Sequence, residues 1–218
     1  MNKEKIIANT RKFVKEKLEG EGTGHDYFHV ERVVKLSLLI SEKERQGDKF
    51  IIEIAALLHD IADWKFNNAD EEIGSKITRN FLEKENLDEK IINEIEFIVK
   101  NISFKGGTNK IKQRTIEGKI VQDADRLDAL GAIGIGRTFA YGGFKGREMH
   151  NPKIKPKKYK NLKSYASSKN TTLNHFYEKL FLLKDGMNTK TAKSIAENRE
   201  MLMKNFVQEF LNEWRVKI

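Results

Sequence analysis

The 218 residues carry 41 Lys or Arg against 32 Asp or Glu, with 39% hydrophobic side chains, 33% charged ones and no cysteine. This composition excludes intrinsic disorder, disulfide scaffolds, thiolate metal sites and cysteine nucleophiles, so any bound metal must use nitrogen and oxygen ligands. No apolar run approaches the ~20 residues of a membrane helix, and MNKEKIIANTRKF lacks the apolar stretch of a secretory signal, so a cytoplasmic protein free of membrane is expected.

Taken in chain order, apolar residues recur at helical spacing almost throughout, and no convincing strand appears. Ile6, Ile7, Phe13, Val14 and Leu18 mark a helix over 3–19, which EGEGTG ends before His25. Val30, Val33, Val34 and Leu38 mark a second over 28–46, followed by the QGD break and a strongly apolar helix over 49–63. FNNAD, Asn-Leu-Asp at 86–88 and Lys-Gly-Gly at 105–107 separate helices predicted over 70–85, 88–103 and 114–130, with Gly, Asn and Asp supplying turns and caps. A helix over 131–141 precedes the stretch 142–170, which contains both prolines and is read as a loop. Two more helices follow, over 171–184 and 189–215. The last carries Phe206, Phe210, Leu211 and Trp214, a stripe suited to packing on the core or to a dimer seam, so monomer and homodimer both stay open. The expectation is an all-α protein forming one domain over 1–218, with a core of about 20–145, a basic loop and C-terminal helices.

The net charge of +9 is concentrated. Between Gly142 and Asn170 nine Lys or Arg face one acid, Glu148. Such a loop is either a solvated surface or a mobile lid that steers an anionic substrate.

Histidines and aspartates sit in or beside the most apolar helices. In IEIAALLHDIADW, His59 and Asp60 close a run of buried-type residues, where they would be costly without a partner or an ion. His29 approaches His59 if the two helices form an antiparallel hairpin. VQDADRLDALG offers Asp125 and Asp128 one turn apart, with Asp123 turned away from Asp125, and one of the three should complete the site. Imidazole plus carboxylate suits Mn, Fe, Co, Ni or Zn better than calcium. The expected chemistry is hydrolytic, since such an ion activates water and polarises a phosphoryl or carbonyl oxygen. Asp63, four residues beyond His59, is placed by helical spacing to accept a proton from that water.

His29, the pair His59-Asp60 and the distant Asp125 in ADRLDALG resemble the H…HD…D signature of the HD superfamily of metal-dependent phosphohydrolases. GHDYFHVERVVKLS resembles the GHDxxHxxRV opening of a cytoplasmic bacterial subgroup, and VQDADRLDALGAIGIGRTFAYGG its second half. The resemblance covers roughly 25–145. It implies an HD-domain helical bundle, His29, His59, Asp60 and Asp125 as metal ligands, and hydrolysis of nucleoside triphosphates to monophosphate and pyrophosphate, typically with manganese; magnesium is a further candidate. Asp63 matches the catalytic acid of related alarmone hydrolases, although those have Glu-Asp where this chain has Asp63-Trp64.

Around this set, His25 is read as a residue contacting substrate or ligands, or else as a helix cap. Arg32 shares a face with His29 and is read as reaching a substrate phosphate or pairing with a metal-site carboxylate. Lys65, Lys105, Lys145 and Arg147 are candidates to neutralise phosphate. Arg126 is expected in an ion pair, and His150 has no evident partner. Two alternatives remain: hydrolysis of monophosphates, cyclic nucleotides or alarmones, and a nucleic-acid-binding module with a structural metal. Against the module, only Phe144, Tyr159 and Tyr165 offer stacking platforms in the basic loop.

Overall fold

A computed structural model describes residues 2–20, 26–61, 72–103, 111–157 and 170–217. The described residues are helical, with no strand among them. The helices are α1 (Lys3–Lys17), α2 (Tyr27–Glu44), α3 (Lys49–Leu58), α4 (Ile73–Lys84), α5 (Glu89–Asn101), α6 (Ile116–Asp128) and α7 (Gly131–Phe144). An irregular helical segment, α8, winds as a π turn over Phe176–Leu180, an α turn over Phe181–Leu183 and a 3-10 turn over Lys184–Gly186, and α9 spans Lys190–Trp214. No described helix is long and apolar enough to cross a membrane.

Local chemistry sets the helix starts. The side chains of Asn2, Asp26, Asp48, Asp88, Thr115 and Thr189 each accept a backbone N–H of the first turn, satisfying donors that have no partner inside the helix. Asp26 is the cap of α2: its Oδ1 accepts the His29 amide at 2.8 Å, so the residue that starts the helix also places His29 in its first turn.

α3 is the axis of the fold. Its Ile52, Ile54, Ala55, Ala56, Leu57 and Leu58 are fully buried, because it packs against α1, α2, α5 and α6. A helix apolar on all sides can only be stable in this central position. α9 lies across α2, α6 and α7, and its Phe206 and Phe210 meet Phe139 at ring distances of 5.8 and 5.9 Å. The aromatic stripe of the C-terminal helix therefore covers the core of its own chain. Between α6 and α7 the chain turns sharply at Gly131, whose φ of 75° is open to glycine at little cost and brings Arg137 back over the end of α6.

Two predicted helices differ from the structure. α3 stops at Leu58 instead of running to 63: His59 and Asp60 form a turn in which Ile61 N–H reaches the Leu58 carbonyl at 3.2 Å. The segment expected as a regular helix over 171–184 is the composite α8. Its widened turn carries Glu178 inward, where the carboxylate accepts the Lys157 amide at 2.8 Å and bonds Asn170. The first half of the basic stretch is tied down at further points. Thr172 N–H donates to the Glu148 carbonyl, Leu173 N–H to that of Met149, both at 2.9 Å, and Asn174 Nδ2 to that of Ile154. As far as Lys157 the loop is anchored, and residues 158–169 lie outside the described residues.

Candidate metal centre

α2, α3 and α6 converge so that the first turn of α2, the C-terminal end of α3 and the last turn of α6 meet. His29 is fully buried and Nδ1 of its ring lies 2.7 Å from Asp128 Oδ2. His59 turns its Nδ1 to the Ala56 carbonyl at 2.8 Å. Both rings thereby point Nε2 inward, and the two Nε2 atoms are 3.2 Å apart. Asp125 Oδ1 lies 3.6 Å from His29 Nε2 and 3.8 Å from His59 Nε2, and Asp60 Oδ2 lies 3.8 Å from His29 Nε2. The donor atoms of His29, His59 and Asp125 all fall within 4.8 Å of one another.

Protonation decides what this cluster can hold. A carbonyl only accepts, so His59 Nδ1 must carry its hydrogen. Burial drives the Asp128 carboxyl upward, but bonds from His29 and Arg32, with the charges of His29 and Arg137, outweigh it and hold the group well below the usual carboxylate range. Asp128 is thus an acceptor, and His29 Nδ1 is likewise the N–H nitrogen. Burial lowers the His29 pKa to about 4; the Asp128 bond opposes the fall, while Arg137 and His59 deepen it. At neutral pH His29 presents an Nε2 lone pair toward His59. Both rings turn Nε2 to the same point, with oxygens of Asp60 and Asp125 beside it, an arrangement that favours a cation. With metal–nitrogen bonds of ~2.1 Å, a 3.2 Å separation corresponds to an N–metal–N angle of about 100°, ordinary for transition-metal coordination. The residues fit a divalent ion.

The three aspartates of α6 have separate positions. Asp125 faces the histidines and is partly exposed. Asp128, one turn on, lies behind His29. Asp123 is buried on the far side, where its oxygens accept the backbone N–H groups of Asn188 and Thr189 and the Thr189 hydroxyl, joining α6 to the start of α9. Neither neighbour replaces Asp125 beside the histidines.

Arg32 forks onto Asp128, Nε to Oδ1 at 2.7 Å and Nη2 to Oδ2 at 3.0 Å. Arg137, which no sequence motif singled out, adds Nη1 to Oδ2 at 2.9 Å. Arg126 corrects an expectation: burial lowers its pKa, and its guanidinium donates to the Gly186 carbonyl in place of an ion pair. His150, without an evident partner in the sequence, packs edge-on against Trp214 at 5.2 Å. Lys145 and Arg147 lie past the end of α7, against the Tyr141 ring. His25, Asp63, Lys65 and Lys105 lie outside the described residues.

Comparison with known proteins gives this geometry its family. The HD domain family matches residues 26–130, a span that contains His29, His59, Asp60, Asp125 and Asp128. A protein of known structure described as an HD-superfamily hydrolase, from Bacillus thuringiensis, is 46% identical with a TM-score of 0.75, over 98% of this chain and 99% of its own. The chain belongs to the HD superfamily. It is accordingly a metal-dependent phosphohydrolase. YpgQ of Bacillus subtilis is 38% identical over 96% of this HD chain and 94% of its own length. The crystal structure of YpgQ in complex with ADP superposes with a TM-score of 0.71 and 31% identity, covering 95% and 96% of the two chains. A Lactobacillus plantarum protein superposes with a TM-score of 0.87 and 33% identity over 99% and 100% of the two chains.

Proposed function

We propose that this HD enzyme hydrolyses nucleotides at a divalent ion held by His29, His59, Asp60 and Asp125, and that its substrate is a nucleoside triphosphate cleaved to monophosphate and pyrophosphate, with manganese as the metal. The observation that carries the reading is the convergence of two imidazole Nε2 atoms, 3.2 Å apart, beside two carboxylates. ADP bound to the related YpgQ supports a nucleotide over other phosphoesters. The concentration of positive charge in 142–170 supports a substrate with several phosphates.

The ion would supply an acidified water and polarisation of a phosphoryl oxygen. The chain supplies the rest. Asp63 and His25 are proposed to handle the proton and the reacting end of the substrate, and Lys65, Lys105, Lys145 and Arg147 to neutralise phosphate charge. Arg32, bound to Asp128 through two of its donors, retains further N–H groups at the same end of α2. The chain is proposed to act as a single domain, in the cytoplasm.

The test is phosphate and pyrophosphate release from a panel of nucleoside mono-, di- and triphosphates with Mn, Mg, Co and Ni, for the wild type and Asp60→Ala. Pyrophosphate from triphosphates, dependent on metal and abolished by the substitution, is the expected result. Release of orthophosphate alone would reassign the bond. No turnover, with nucleic-acid binding that weakens steeply with salt, would favour a binding module instead.

A further inference from the structure

Asp128 is only 2% exposed, and its carboxylate lies on the Nδ1 side of His29, opposite the point where the Nε2 atoms converge. It nevertheless gathers donors from two other elements. Oδ2 receives His29 Nδ1 and Arg32 Nη2 from α2 and Arg137 Nη1 from α7, and Oδ1 receives Arg32 Nε. A buried carboxylate is costly unless its charge is matched, and here two guanidiniums match it.

We propose that Asp128 is the positioning residue of the metal centre: it locks His29 in the Nδ1–H tautomer, so that Nε2 faces His59 and Asp125, and Arg32 and Arg137 act through it by holding its carboxylate in place. The inference rests on the reading of His29 as a ligand, and not on the identity of the substrate.

The tautomer of an imidazole is set by the bond its other nitrogen makes. A neutral carboxylic acid, or an amide free to rotate, could offer Nδ1 a donor as readily as an acceptor. The guanidiniums of Arg32 and Arg137 only donate, so the Asp128 oxygens they hold are acceptors, and His29 Nδ1 meets one of them. They also restrain its rotation from both sides, because Arg32 occupies both oxygens while Arg137 approaches from the helix beyond Gly131. Arg137 is therefore assigned to the metal centre although it touches no ligand directly, and the principal duty of Arg32 is to Asp128.

The experiment uses the full chain stripped of metal by a chelator, with two readouts that need no turnover: side-chain nitrogen NMR of His29, and titration with Mn(II) followed by the EPR signal of the free ion. In the wild type His29 Nδ1 should read as the protonated nitrogen. In Asp128→Asn the N–H should move wholly or partly to Nε2, and Mn(II) affinity should fall by about 10- to 100-fold. An unchanged tautomer together with Mn(II) affinity within about twofold of wild type would overturn the proposal. Should Asp128→Asn fail to fold, Arg137→Met serves in its place, since it leaves the His29 bond to Asp128 possible. Several-fold weaker Mn(II) binding would support the proposal, and unaltered binding would overturn it. An enzyme that hydrolyses no nucleotide yet shows these changes would leave the inference standing while sinking the proposed substrate.

Discussion

Nε2 of His29 and Nε2 of His59 lie 3.2 Å apart across the junction of α2 and α3, while each Nδ1 is turned to an acceptor. Two ring nitrogens and the carboxylates of Asp60 and Asp125 thus converge on one point, and a divalent ion bound there should stabilise the fold. Saturation with Mn(II) at about 100 times its Kd adds roughly 2.7 kcal/mol. For a chain of this size that is a rise in Tm of about 5–10 °C. Thermal unfolding with and without chelator checks it, and coincident curves would contradict it.

Stability of the metal-free chain should depend on pH through His29. Its folded pKa of about 4 lies below the ordinary 6.5. Between those values the unfolded chain binds a proton that the folded chain does not, so this contribution is fully present above pH 6.5 and is lost as pH falls toward 4. The depressed Asp128 acts in the same direction at lower pH. The His29 contribution amounts to roughly 3 kcal/mol at most. Urea unfolding of metal-free wild type and His29→Asn at pH 7 and pH 5 would show it as a steeper loss in the wild type.

Asp123 and Asp125, two residues apart on α6, should fail in opposite ways. Asp123→Ala strips acceptors from the Asn188 and Thr189 amides and should cost about 2–3 kcal/mol of stability. Mn(II) affinity at temperatures where the variant is folded should be preserved. Asp125→Ala removes a partly exposed carboxylate beside the histidines and should abolish Mn(II) binding with little change in the Tm of the metal-free protein. Calorimetry and Mn(II) titration of the pair separate the two duties.

Neutralising Lys155, Lys157 and Lys158 together to Gln tests the basic stretch. If it draws a polyphosphate toward the site, KM for a triphosphate should rise about tenfold at low salt and lose most of its ionic-strength dependence, with kcat little changed. Equal KM values across a salt series for the variant and wild type would make the stretch a solvated surface.

The all-helical fold was legible because apolar residues recur at helical spacing and six of the nine described helices start at a side-chain cap, and the histidine pair because polar residues closed an apolar run. Four things were not. The end of α3 at Leu58 depends on how His59 turns back to the Ala56 carbonyl, which periodicity cannot register. The choice among Asp123, Asp125 and Asp128 depends on which elements lie opposite each face of α6: α9 takes Asp123, and His29 takes Asp128. Arg137 reaches Asp128 only because Gly131 adopts a positive φ and folds α7 back over α6, a long-range consequence of one backbone angle. His150 likewise found its partner 64 residues away, in Trp214.

The most direct measurement is a crystal structure of the protein grown or soaked with Mn(II), with the ion located by anomalous scattering. The account predicts a peak bonded to Nε2 of both His29 and His59, with oxygens of Asp60 and Asp125 completing the protein ligands and Asp128 remaining on His29 Nδ1. A peak elsewhere, or one that leaves His29 unbound, would contradict it.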